Sequence, residues 1–168
     1  IQYTTEFHMT SDSHLFPGRT WWEEKGYHTD CYGRLLPPEG RKPNLIYRGG
    51  RIGPDGDVAL PLYEGRMIGQ FDFSEKGWVS GHGRSAIWEA IPVETKGLKS
   101  QYLMSEKTYF ERGFKDYKVK IIFMGIGSST NSRSMISSIV PDFPCGNSVP
   151  VLYTDVDPSI ICKKSFLL

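Results

Sequence analysis

Turn-forming residues constrain this chain most: it holds 18 glycines and 11 prolines in 168 residues, against a usual share of about 12%. Each proline removes a backbone donor, and each glycine weakens a helix interior by about 1 kcal/mol. Long helices are therefore disfavoured along the whole sequence. Aromatic residues make up 13% and suit pleated, half-buried surfaces. Together these features predict an α+β, predominantly β protein of short strands joined by turns, with few short helices. One domain spanning 1–168 accommodates the length, which buries roughly two-thirds of its surface. No apolar run approaches the ~20 residues of a membrane span, so no membrane partner is expected. The start, Ile1-Gln2-Tyr3, has neither a Met nor a basic-then-apolar leader, and the chain stops on Ser165-Phe166-Leu167-Leu168. Both ends read as cuts in a longer polypeptide.

Cys31, Cys145 and Cys162 are far apart and odd in number, a poor disulfide framework that suits a reduced, cytoplasmic protein with inert thiols. His8 and His14 lie near Glu6 and Asp12, but neither His-Glu-x-x-His spacing nor a compact Cys/His cluster exists, so no metal site is expected.

Local patterning places the elements. Trp21 to Gly26 suits a short helix with Thr20 as N-cap and Gly26 as its stop. Leu45-Ile46-Tyr47 reads as a brief strand, Gly53 to Asp57 as a turn, and Val58 to Tyr63 as a strand. Gly77 to Ser85, with three glycines, reads as a mobile loop bearing His82 and Arg84, followed by a strand within Ala86 to Val93. A helix from Ser105 is limited by Gly113. Asp116 to Ile126 is the best strand, matched by Met135 to Val140 and Val149 to Val156. The Gly/Ser/Thr/Asn-rich loop from Gly125 to Ser134 must face water or a polar ligand. It lacks the Gly-x-x-x-x-Gly-Lys-[Ser/Thr] pattern of a nucleotide-triphosphate cradle.

Formal net charge is +1, which alone argues against a nucleic-acid partner. The distribution is uneven. Arg34, Arg41, Lys42, Arg48 and Arg51 face only Glu39 over residues 34–51. Lys96, Lys99, Lys107, Lys115, Lys118, Lys120 and Arg112 outnumber Glu106, Glu111 and Asp116 over residues 96–120. These two stretches either form one positive face or are ordinary solvated edges.

Four stretches in order resemble the specificity region of adenine-specific DNA methyltransferases, the restriction-modification and phage-defence (BREX-like or type IIG) enzymes with a TaqI-like target recognition domain. The first runs from Glu6 to Phe16 (EFHMTSDSHLF), similar to the family's MTNDSHLF. The second, Leu60 to Phe73 (LPLYEGRMIGQFDF), resembles LPLYEGKMIHQFDH, with Arg66 for Lys and with Gly69 and Phe73 for two His. The third is Thr130 to Ile136 (TNSRSMI), like TNERTMI. The fourth, Val140 to Leu152, resembles IPxxPCGNxxPxL. Met124 stands where the family has Arg before the Thr-Asn motif.

The resemblance implies a target recognition domain with a coiled or β-helix-like strand core and a helical part cut off after Leu168. Its partners would be double-stranded DNA and the catalytic methyltransferase domain of the same chain. S-adenosylmethionine would bind in that missing N-terminal domain, and no cofactor in this fragment. The residues agree: the only Pro-Pro, Pro37-Pro38, follows Leu36 and precedes Glu39. The [Asn/Asp/Ser]-Pro-Pro-[Tyr/Phe] loop that holds a flipped adenine is therefore missing, and this piece is not expected to catalyse methylation.

The expected DNA-binding residues are Arg66, Gln70, Thr130, Asn131, Arg133, Arg84 and His82. Arg offers a bidentate fork to guanine or phosphate, and Gln pairs with adenine. If their segment is extended, Arg66 and Gln70 share a face. The bland alternatives are a Glu64–Arg66 ion pair, a turn cap by Gln70, an Asx turn at Asn131 and a simple surface hairpin around His82. A non-catalytic protein- or carbohydrate-binding β module, using Trp21, Trp22 and Trp88 as a platform, is the alternative function. A hydrolase using His14 with Asp12, or a nuclease using Asp72 and Glu64, has little pattern behind it.

Overall fold

The computed structural model describes residues 2–38, 58–113, 119–127, 129 and 135–153, without the side chains of Arg84 and Tyr153. In chain order the elements are β1 (Gln2–Thr4), α1 (Arg19–Glu23), β2 (His28–Thr29), β3 (Leu35–Leu36), β4 (Ala59–Pro61), β5 (Lys76–Ser80), β6 (Ile87–Ala90), β7 (Leu103–Ser105), α2 (Glu106–Glu111), β8 (Val119–Phe123), β9 (Ser137–Pro141) and β10 (Val151–Tyr153). Ten short strands and two short helices make this a β-rich α+β fold without a closed barrel among the described residues. The strands form two four-stranded sheets, ordered β1-β10-β8-β9 and β2-β3-β4-β7, and a β5-β6 hairpin. Every pairing between these strands is antiparallel, and two isolated parallel bridges, Phe7 to Gly146 and Tyr63 to Cys145, cross the core. No helix of the described residues is long and apolar enough to cross a membrane.

Local chemistry accounts for most boundaries. Ser105 caps α2, its Oγ accepting from the Thr108 amide at 3.3 Å, and Gly113 ends that helix region at φ +68°. The α1 helix begins two residues earlier than expected, at Arg19 instead of Trp21. Gly18 bridges Tyr102 and the Arg19 amide donates to the Gln101 carbonyl at 2.8 Å. The N-cap is therefore Gly18, and Thr20 lies inside the helix. Gly26 closes the turn that follows, at φ +83°.

The expected loop from Gly77 to Ser85 is half strand. Lys76 to Ser80 pairs with Ile87 to Ala90, connected by Gly81, His82, a 3-10 turn at Gly83–Ser85 and Ala86. Gly77 is there for close approach: a Cβ would sit 2.9 Å from the Lys99 side chain and 3.0 Å from that of Ile91. The strand of Leu45 to Tyr47 and the turn of Gly53 to Asp57 fall outside the described residues.

One main core gathers Phe7, Phe16, Leu62, Tyr63, Met67, Ile122, Val140 and Val151, and a smaller one holds Trp22, Leu35, Ala59 and Leu103. β8 alternates as its sequence requires, with Ile122 inward and Ile121 and Phe123 on the other face. The inward position two residues earlier is Lys120, only 1% exposed. Its ammonium donates to Glu6 Oε1 and Oε2 at 2.7 and 3.0 Å, to the Phe143 carbonyl at 3.0 Å and to the Tyr109 hydroxyl, and lies 3.0 Å from Asp142 Oδ1. Burial opposes the lysine's charge, but the Glu6 and Asp142 carboxylates beside it outweigh that and hold it protonated. Burial pushes the Glu6 carboxyl up, against the pull of Lys120.

Removing the cation would leave two carboxylates facing one another in the interior. The variant Lys120→Met should lose about 3–5 kcal/mol of stability in chemical denaturation, far more than an exposed lysine such as Lys107 would lose on the same change.

Candidate functional site

The second motif divides into a buried stem and an exposed turn. Leu62 and Tyr63 are in the core. Tyr63 forms a parallel bridge with Cys145, its amide donating to the Pro144 carbonyl at 2.9 Å and its carbonyl accepting from Gly146 at 3.0 Å. Ser148 Oγ then accepts from the Gly65 amide at 2.9 Å, and residues Gly65–Met67 wind into a 3-10 turn. This turn overturns the expectation of an extended segment. Arg66 and Gln70 do not share a strand face.

Arg66 stands exposed on that turn, its guanidinium carbon 5.3 Å from the Trp88 ring centroid. It enters no ion pair among the described residues. The Glu64–Arg66 salt bridge is thus not formed. Glu64 instead keeps a buried Oε1 with no hydrogen-bond partner among the described residues. Burial pushes its carboxyl up to about 7, with Arg66 pulling the other way. The Tyr102 phenol is raised by burial first and then by the Glu64 charge, with Arg66 opposing. The His82 ring meets Tyr102 edge to face, centroids 5.7 Å apart, and its Nδ1 lies 3.4 Å from Gln101 Nε2. Arg66 and His82, predicted separately, therefore belong to one surface cluster with Glu64, Tyr102, Gln101 and Trp88.

Gln70 takes a different role. Its Oε1 accepts from the Ser137 amide at 3.3 Å, while the Phe71 amide donates to the Ser137 carbonyl at 2.9 Å. Instead of capping its own turn, Gln70 ties that turn to the start of β9. The Met124 amide donates to the Ile136 carbonyl at 2.8 Å on the same side. Thr130, Asn131 and Arg133 lie outside the described residues, as does the Arg84 side chain. The backbone immediately after their loop is nevertheless fixed against the Gln70-Phe71 turn.

Three of the four sequence motifs meet directly. Phe7 bridges Gly146, the Cys145 amide donates to Glu6 Oε2 at 3.1 Å, and Asn147 Oδ1 accepts from Met9 at 3.4 Å.

Four cations of the basic stretch 96–120 are matched to carboxylates, while Lys99 is exposed and enters no ion pair among the described residues, and Lys115 and Lys118 lie outside them. Lys96 pairs with Asp72 at 2.6 Å, Lys107 with Glu111 at 4.0 Å, Arg112 with Asp12 at 3.4 Å, and Lys120 is interior. Arg34 likewise pairs with Asp30 at 2.7 Å. Arg41, Lys42, Arg48 and Arg51 are outside the described residues.

Other chemistries gain little. Asp12 accepts from the His8 amide at 2.8 Å, and Asp72 from Ser74 at 2.9 Å as well as from Lys96. Burial raises the Asp72 carboxyl, but Lys96 and the Ser74 amide overcome this and hold it below the ordinary range. Trp22 is buried, and Lys25 lies 4.3 Å over the Trp21 ring, so the two tryptophans do not form an open platform. No group of three or more His, Cys, Asp or Glu among the described residues is placed to hold a metal. No family model matches the sequence, and neither the curated proteins nor the solved structures contain a match.

Tyr102 and Gln101 escaped the sequence reading, and Trp88 entered it only as part of a sugar platform, because no motif links them to Arg66; only the pairing of β4 with β7 and of β5 with β6 does so. Glu64 provides a pH test of this environment. Its folded pKa lies above the reference of 4.5, so its stabilising contribution is present below about 4.5 and is lost as pH rises through about 7. Thermal melts from pH 5 to 8 should show wild type losing about 1–2 kcal/mol relative to Glu64→Gln.

Proposed function

We propose that this chain is a duplex-DNA recognition module, of the kind that accompanies the catalytic domain in adenine-specific DNA methyltransferases and restriction-modification enzymes. The observation that carries this reading is the join at Ser137. There the turn that follows Arg66 is hydrogen-bonded to the strand into which the Thr130–Arg133 loop runs. This join supports the reading because it ties the turn that follows Arg66 to the strand that follows residues 130–134 in sequence. Arg66 supplies an exposed guanidinium with no ion pair among the described residues, suited to phosphate or to the O6/N7 edge of guanine. His82 and Arg84 belong to the connection between β5 and β6, and Thr130, Asn131 and Arg133, outside the described residues, complete the set the reading calls on. Methyl transfer belongs to a separate domain of the cytoplasmic parent enzyme, which binds S-adenosylmethionine and flips the target base.

Fluorescence anisotropy on labelled duplex DNA between 50 and 200 mM salt (concentrations on the order used to resolve counterion release) tests the proposal. Affinity should fall steeply with salt, and Arg66→Ala should reduce the salt slope by about 1. Arg133→Ala should weaken binding while shifting stability by less than about 0.5 kcal/mol. Absent or salt-independent DNA binding, alongside retention on a polysaccharide resin, would favour the carbohydrate-binding alternative.

A further inference from the structure

Phe71 is in the wrong place twice over for a structural residue. It is the most exposed large hydrophobic side chain among the described residues, at 82%. It is also the one non-glycine residue among them with positive φ, +60°. That region favours Gly, and after it Asn and Asp, whose side chains bond locally; a bulky ring gains nothing there. Neither burial nor backbone preference explains a phenylalanine at this position.

The turn that carries the ring is held from every side. Gly69 and Asp72 exchange backbone hydrogen bonds at 2.9 and 3.2 Å, closing a two-residue turn around Gln70 and Phe71. The Phe71 amide is fixed to the Ser137 carbonyl and the Gln70 side chain to the Ser137 amide. Asp72 is anchored by Lys96 at 2.6 Å and by the Ser74 amide at 2.9 Å. The strain persists because these contacts over-determine the turn, a condition characteristic of ligand clamps. What they present is an exposed aromatic side chain on a fixed backbone, five positions beyond the exposed Arg66.

We propose that Phe71 is an aromatic wedge that enters a base step of bound duplex DNA and stacks on the bases it parts. The inference rests on the DNA-recognition reading. A pre-oriented ring loses little entropy on insertion, and every base offers a face to it. Cationic and polar groups on the adjoining segments hold the phosphates while the ring unstacks the step.

The test uses the full chain with duplexes carrying 2-aminopurine at successive positions, whose fluorescence rises when its neighbours unstack. Wild type should raise the signal at one step. Phe71→Gly removes the ring and suits the backbone, so its Tm should be equal or higher while duplex affinity falls about tenfold and the signal disappears. Phe71→Tyr should restore both. Wild-type affinity and an unchanged signal in Phe71→Gly, with Arg66→Ala still impaired, would overturn the wedge and leave the DNA reading standing. A lower Tm in Phe71→Gly would assign the ring to the scaffold and also overturn it. No duplex binding by wild type at any salt would overturn both.

Discussion

An ammonium group buried as deeply as that of Lys120 costs several kcal/mol in lost hydration unless carboxylates answer it. Here Glu6 comes from the segment after β1, and Asp142 and the Phe143 carbonyl from the end of β9. The Tyr109 hydroxyl comes from α2 and itself donates to Asp142 at 2.7 Å. Four stretches of chain are thus pinned at one point. Glu6 also accepts from Cys145, and the next links follow in order: Gly146 to Tyr63, Ser148 to Gly65. The 3-10 turn bearing Arg66 is therefore positioned, through three contacts, by the charge at the centre of the fold.

Elements governed by neighbours in sequence were the legible ones. The alternation of β8, the apolar runs of β9 and β10, the Ser105 cap and the Gly113 stop all depend on residues within a few positions. Lys120 was not legible in the same way. Alternation marks a lysine as solvent-facing, and it was counted with a basic stretch, because nothing local announces a carboxylate 114 positions away. The start of α1 and the conformation of Gly65–Met67 were misread for the same reason. Gln101 sets the first and Ser148 the second, and both partners are remote.

The site shows the same division. Arg66 was singled out in a motif and His82 in a glycine-rich loop, and both lie beside Tyr102. What could not be read was their geometry: Trp88 beneath the guanidinium, an unpartnered Glu64 oxygen behind it, and Gln70 turned inward to Ser137. The positive φ of Phe71 leaves no trace in composition or periodicity, since a Gln-Phe-Asp sequence is unremarkable in a strand.

Charge makes the last distinction. Among the described residues, Lys96, Lys107, Arg112 and Lys120 are matched to carboxylates. Non-specific affinity for nucleic acid scales with the number of phosphates neutralised, so on the DNA-recognition proposal these four cations would add little to it. The proposal therefore rests, among the described residues, on the groups of the Arg66–Phe71 turn. Those groups rim a buried stem made by Leu62, Tyr63, Met67 and Cys145. Exchanging Arg66 would leave the turn in place, because the contacts that hold it run through the Gly65 amide, the Phe71 amide and the side chains of Gln70 and Asp72.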